Sequence, residues 1–327
     1  MMKLLLAFAC CILASIAVQP DEDYFNDIID KVNRQQNTWK AGKNYHLKLP
    51  RTYLQQLSGV RPDYADVPVL EMKRPENEVR TLSVPHQFDA REAWSNCPSI
   101  RRINDQSRCG SCWAVSVAEV LTDRMCVDKN LQFNISAEDL LSCCKDCGSG
   151  CNGGYPQQAF HYFVEEGITS GDFYGSNHGC KPYSIAPCSP DSTHTCSLVS
   201  TPKCVTKCRS GYPKSYKQDK YSGRIAYQVP NDVREIQKEI LRNGPVQAAF
   251  TVYEDFYAYK EGVYQHVTGK KRGGHAVKII GWGEENGVEY WLVANSWGPK
   301  WGENGFFKIM RGRNEANFET QINAGLP

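Results

Sequence analysis

The stretch Gln106-Ser107-Arg108-Cys109-Gly110-Ser111-Cys112-Trp113 decides the reading of this 327-residue chain. Ser111 is a helix-capping residue, and Ala114, Val117, Ala118, Leu121 and Met125 recur behind it at helical spacing, which predicts a helix beginning at Cys112. A cysteine at that position faces unpaired backbone N–H groups and the positive end of the helix dipole, both of which favour an anion. Only the thiolate is a competent nucleophile, and a thiol of pKa ~8.5 is scarcely ionised in a mildly acidic compartment. Lowering that pKa by ~3–5 units takes roughly 4–7 kcal/mol. A helix terminus supplies at most ~2 kcal/mol. A cationic partner must supply the rest, and histidine is the side chain suited to it.

Among seven histidines, His275 stands out. Gly273-Gly274-His275-Ala276 opens a strand in which two glycines let another backbone come close. Asn295-Ser296-Trp297 ends the next strand, so the Asn295 amide is placed to hold the imidazole and the Trp297 indole to cover that contact from water. Alone, His275 reads as a structural histidine and Asn295 as a turn residue; Cys112 makes the combination catalytic.

The N-terminus sets the compartment. Lys3 precedes an apolar run from Leu4 to Val18 that is short for a bilayer span, and Ser15-Ile16-Ala17 offers a small-residue cleavage site. Residues 1–17 read as a secretory signal peptide carrying Cys10 and Cys11 of the 15 cysteines. No other membrane span is predicted. The remaining cysteines mature where disulfides persist, and their number is odd, so one thiol is left over. Thirty-eight basic and 36 acidic side chains balance to +2, which argues against charge-driven nucleic-acid binding.

Residues 18–83 contain no cysteine and read as a pro-segment, with an amphipathic helix over Asp27–Asn33, a turn at Thr38–Gly42 and an extended linker over Arg61–Arg80. From residue 84 to 327 helices come first and strands later. Ser136 and Asp232 cap two helices, a third runs from Pro156 to Gly167, and Gly244 stops the helix that Asp232 opens. Strands are predicted at Val246–Val252, His275–Trp282, Tyr290–Asn295 and Phe306–Met310. The fold class is α+β, two subdomains facing one another.

Cys-Gly-Ser-Cys-Trp resembles the signature of the papain and cathepsin family. Cys151-Asn152-Gly153-Gly154-Tyr155-Pro156, Gly244-Pro245-Val246, Tyr216-Lys217-Gln218-Asp219 and Asn37-Thr38-Trp39-Lys40-Ala41-Gly42 are similar to the cathepsin B branch in particular. His275 follows Cys112 at more than the family's ~130–150 residues, which places an insertion at about 180–208, like the occluding loop of that branch. The resemblance implies a papain-like fold with a helical and a β-barrel-like subdomain around a cleft. It implies Cys112 as nucleophile, His275 as acid/base, Asn295 as its orienting residue, and Gln106 as oxyanion donor with the Cys112 N–H. Gly153, Gly154, Trp297 and Gln321 would contact the substrate. It also implies the disulfides Cys97–Cys126, Cys109–Cys151, Cys143–Cys204, Cys144–Cys147, Cys180–Cys208 and Cys188–Cys196, a connectivity the sequence alone does not choose.

The implied partners are peptide and protein substrates, the chain's own pro-segment as inhibitor, and cystatin-type inhibitors; no cofactor and no metal is implied, and a monomer is expected. Asn134-Ile135-Ser136 is the one N-glycosylation acceptor. Routing to the lysosome or to the extracellular or gut lumen agrees with the leader.

Three departures matter. The loop Cys188–Cys196 carries one histidine, His194, where cathepsin B has an adjacent pair that grips a substrate carboxylate, so weak carboxydipeptidase activity is expected. Gln321 replaces a glutamate at the base of the P2 pocket, so bulky apolar P2 residues are expected over Arg. Ser107 replaces a glycine. Activation is expected in acid, as carboxylates at the pro-segment contact lose their pairings. Two other readings remain open from sequence alone: a redox pair formed by Cys109 and Cys112, and a zinc site built from Cys143, Cys144, Cys147 and Cys151.

Overall fold

The computed structural model describes residues 22–35, 38–49, 51–63, 82–188, 196 and 199–327. The expected signal peptide, most of the linker, and loop residues 189–195 with His194 lie outside them.

The pro-segment begins with helix α1, Glu22–Gln35, longer than the predicted turns but with the same logic: Phe25, Ile28 and Val32 recur on one buried face. The predicted turn at 38–42 is instead a strand, β1, Trp39–Ala41, with its outer residues buried and Lys40 exposed. Asn33 clamps it from α1, its amide donating to Ala41 O and accepting from Ala41 N, both at 3.0 Å. A short helix α2, Arg51–Gln56, then leads through a turn to Val60, which bridges Gly154 and Gly274.

In the remainder, α3 (Cys112–Lys129), α4 (Ala137–Cys143) and α5 (Pro156–Glu165) form one lobe. Ser136 caps α4 by accepting from Asp139 N. The apolar stripe predicted for α3 understates its burial: residues 112–126 are buried on every side, including Glu119, Asp123 and Arg124. Asp123 is matched to Lys278 at 2.7 Å and Arg124 to Glu239 at 2.9 Å, as burial requires, while the Glu119 carboxyl accepts from the Asn104 amide at 2.6 Å.

The other lobe is a sheet built from β2 (Ile225–Val229), β3 (Val246–Tyr253), β4 (Tyr259–Tyr264), β5 (Lys271–Glu285), β6 (Val288–Ala294), β7 (Phe306–Met310) and β8 (Gln321–Leu326). Helix α6, Val233–Asn243, packs beside it, capped by Asp232 and ended by Gly244 at φ 94°. The order is β1-β4-β7-β6-β5-β3-β8-β2, antiparallel except for β4 with β7. The hydrogen bonds trace an open path rather than the closed ring of a barrel, and the pro-segment supplies one edge strand. Two apolar cores result: one among the helices around Trp113, Leu121 and Phe160, the other on the sheet around Phe256, Trp291 and Phe307. Between them lies a small cluster of Val60, Cys112, Ala249 and Ala276.

All six disulfides implied by the resemblance are formed. Cys109 is tied to Cys151 and Cys144 to Cys147, so neither a Cys109–Cys112 redox pair nor a four-thiol zinc site exists.

Candidate active site

Cys112, the first residue of α3, is fully buried and is the one free cysteine among the described residues. Ser111 holds the N-cap position without capping: its hydroxyl meets the Tyr183 hydroxyl at 2.7 Å instead. That competition leaves the N–H groups of Cys112 and Trp113 facing the sulfur. From the opposite lobe the Ala276 N–H faces it too.

His275 precedes Ala276 on β5. Its Nε2 lies 2.7 Å from Asn295 Oδ1; an amide oxygen only accepts, which assigns the proton to Nε2 and leaves Nδ1 bare. Asn295 follows directly on β6, and its Oδ1 also accepts from Ser296 N at 2.8 Å. The Trp297 ring lies 4.8 Å from the imidazole at 31°. Asn295 and Trp297 therefore both meet the His275 ring, and Cys112 packs against the neighbouring residue Ala276.

Gln106 approaches from the loop before α3. Its Oε1 accepts from Ser296 Oγ at 2.8 Å, and its carbonyl from Tyr183 OH at 2.8 Å. This aims Nε2 at two carbonyls, Cys109 O at 3.0 Å and Leu57 O at 3.3 Å. Ser296 and Tyr183, which fix the amide's orientation, carried no signal in the sequence. Ser107, the departure from glycine, sits at φ 60°, where a Cβ is unfavourable; Asp105 Oδ1 accepts its N–H at 2.7 Å and Ile185 O its hydroxyl at 3.1 Å.

The pro-segment fills the cleft. Leu57 puts its carbonyl at the Gln106 amide, and Gly59 N–H donates to Cys112 Sγ at 3.2 Å. Gly59 O accepts from Gly154 N at 2.9 Å, Val60 N donates to Gly274 O at 2.9 Å, and Arg61 N to Gly154 O at 3.2 Å. The strand runs parallel to Gly154. It gives the sulfur an N–H donor from Gly59 and gives the Gln106 amide the Leu57 carbonyl, so it occupies both positions. Of the two glycines expected to form a bare edge, Gly154 does so; Gly153 turns the chain at φ 101° and bonds to Gly150 and Ser149.

Burial under this strand sets the charges. It pushes the Cys112 thiol up to about 11, against the pull of the surrounding N–H groups. It pushes His275 down to about 4, against the favourable Asn295 and Leu57 oxygens. Both shifts, upward at the thiol and downward at the imidazole, oppose a thiolate–imidazolium pair while the pro-segment is docked.

Comparison with known proteins completes the picture. Residues 84–326 match the papain family cysteine protease profile, and residues 25–64 match the peptidase family C1 propeptide. The chain belongs to the papain family of cysteine peptidases. Cathepsin B-like cysteine proteinase 4 of Caenorhabditis elegans is 44% identical across 100% of this chain and 99% of its own. A gut-specific cysteine proteinase of the same nematode is 48% identical over 91% of this chain and 89% of its own. The structure of procathepsin B S9 from Trypanosoma congolense superimposes with a TM-score of 0.79 at 39% identity, covering 93% of this chain and 97% of that one. This papain-family chain is a cathepsin B-like cysteine peptidase made as a zymogen, with its propeptide as intramolecular inhibitor.

Gln321 opens β8 opposite Ala249 and lines a cavity beside the cleft. Glu319 is structural, accepting from Trp291 Nε1, Gly312 N and Asn314 N. Asn134 is half-buried just before the α4 cap. No helix among the described residues is long and apolar enough to cross a membrane.

Proposed function

We propose that the peptidase reaction runs through Cys112, with His275 as acid/base, Asn295 orienting it, and the Gln106 amide with the Cys112 N–H receiving the oxyanion. The observation that carries this is the free thiol at a helix start packed against Ala276, whose neighbour His275 is held by Asn295. Once the pro-segment leaves, water reaches the pair and the proton moves from Sγ to Nδ1. The thiolate attacks a peptide carbonyl, Sγ–C forms, and the oxygen takes the place now held by Leu57 O. His275 then gives its proton to the departing amine, and next takes one from the water that hydrolyses the acyl-enzyme.

The enzyme acts chiefly within chains, since the loop that would hold a substrate carboxylate has a single histidine. Neutral Gln321 removes the attraction for Arg at P2, so Phe-Arg reporters are cleaved in preference to Arg-Arg reporters. The secretory leader routes the zymogen to a lysosome or to the extracellular lumen, and cleavage between residues 80 and 84 releases it. The test is to label acid-activated protein with an epoxysuccinyl thiol inhibitor and map the adduct. A single adduct on Cys112 is expected; an adduct elsewhere, or retained activity in Cys112→Ala, sinks the assignment.

A further inference from the structure

Gly59 touches the reacting sulfur, and Val60, the next residue, seats its backbone against Gly274 and Gly154. A cavity of about 630 Å³ opens beside Val60, walled on the enzyme side by Ala249, Thr251, Gly274 and Gln321. Its charge is one-sided. Lys271 and Arg272, immediately before the two glycines, line it together with Arg61 of the pro-segment, and no carboxylate is among its lining residues. Arg272 is ion-paired to Glu254, which the Tyr24 hydroxyl of the pro-segment also reaches. Lys271 is exposed and makes no ion pair among the described residues. When the pro-segment leaves, Arg61 leaves with it, and Lys271 remains as the uncompensated charge.

We infer that among polar side chains this cavity selects an acidic one, so that one residue before the cleaved one Glu or Asp is favoured over Gln and over Arg, with Lys271 as the residue that determines it. The inference rests on the peptidase reading above and names its substrate class. A carboxylate seated there gains an attraction within a partly enclosed cleft, while an Arg side chain meets like charge with no acid to receive it. Gln321, a neutral amide on the same wall, does not offset the field.

The test uses the released enzyme near pH 6, where a glutamate side chain is ionised. Three reporter peptides differ only at the selected residue: Glu, its neutral isostere Gln, and Arg. At about 20 mM salt kcat/KM should favour Glu over Gln by about 5–10-fold and over Arg by more. At about 0.5 M salt the Glu/Gln advantage should fall below about twofold, since exposed charges are then screened. Lys271→Glu, on an exposed strand position, should invert the Glu/Gln ratio. Gln cleaved as well as Glu at low salt, or a ratio unmoved in Lys271→Glu, overturns the inference while leaving the peptidase reading intact. Failure to cleave any of the three, with Cys112 unlabelled, counts against the peptidase reading itself.

Discussion

At Cys112 two opposing demands meet. The helix start and four facing N–H groups favour an anion, yet burial outweighs them and pushes the thiol up to about 11. A helix end is too weak to ionise a thiol without an imidazolium, and in the zymogen burial lowers His275 as well. What could not be read from the sequence was the support behind the site: Tyr183 takes the Ser111 hydroxyl, and Ser296 aims the Gln106 amide, contacts between residues remote along the chain that no motif encodes. Replacing Gln106 by Ala should lower kcat of the released enzyme by about 10²–10³-fold with little change in KM, as expected for a donor that strengthens its bond only at the oxyanion. A change confined to KM would speak against that role.

The same scale carries the pH dependence. His46 of the pro-segment is buried between Tyr45, Tyr53 and Trp297, its ring 3.8 Å from that of Tyr45 and 6.4 Å from that of Trp297, and neither of its nitrogens has a partner. Burial, with Lys260 nearby, holds it down at about 3, and burial holds His275 at about 4. Both folded values lie below the ordinary 6.5, so the unfolded chain takes up these protons first. Stability present above pH 6.5 is then lost as pH falls toward the folded values, at about 1.4 kcal/mol per pH unit for each histidine. The carboxylates expected to act as an acid trigger pull in the same direction: the Tyr155 hydroxyl and Arg61 hold Asp63 of the pro-segment below its ordinary range, and that bond is lost as the carboxyl takes up a proton. Thermal unfolding of the zymogen should fall steeply between pH 6.5 and 4, and His46→Phe should flatten part of that slope. An unchanged slope in that variant would exclude His46.

At the scale of elements, the helices were legible because capping residues and apolar spacing are local: Ser136 and Asp232 cap where expected. Strand β1 was not. Three residues carry no periodicity of their own, and Trp39–Ala41 becomes a strand only because β4 offers an edge and Tyr259 and Tyr264 receive the indole. Truncating Trp39 to Ala should cost about 3–5 kcal/mol of pro-segment docking, read as release at higher pH. Gly59 is the narrower control point. A Cβ there would lie 2.1 Å from Gly110 O, backbone against backbone, so Gly59→Ala should lift the strand off Cys112 and give a zymogen with measurable activity at neutral pH. Full latency in that variant would mean that the cleft contact is dispensable.

Across the whole molecule, the two lobes meet through buried charge. Lys278 on the sheet reaches Asp123 on α3, and Arg124 on α3 bonds Glu239 and the carbonyls of Gly244, Pro245 and Gly325. Removing one member leaves its partner charged and buried, so Lys278→Met should destabilise by about 3–5 kcal/mol and lower Tm by about 10 °C. A further Asp123→Asn change should restore part of that. This scale was the least legible: helices followed by strands implied two lobes, but neither the interlobe pairs nor the open sheet has a local signature. The disulfide connectivity came from the resemblance alone.

The central claim is that one sulfur is held neutral by the pro-segment and becomes an anion beside His275 once that strand departs. The direct measurement is the pH dependence of Cys112 alkylation in the intact zymogen and in the released enzyme. The account predicts a zymogen thiol inert through pH 8 and a released thiol that reacts rapidly at pH 5. Equal rates in the two forms, or a released thiol that reacts only above about pH 8 as an ordinary cysteine does, would contradict it.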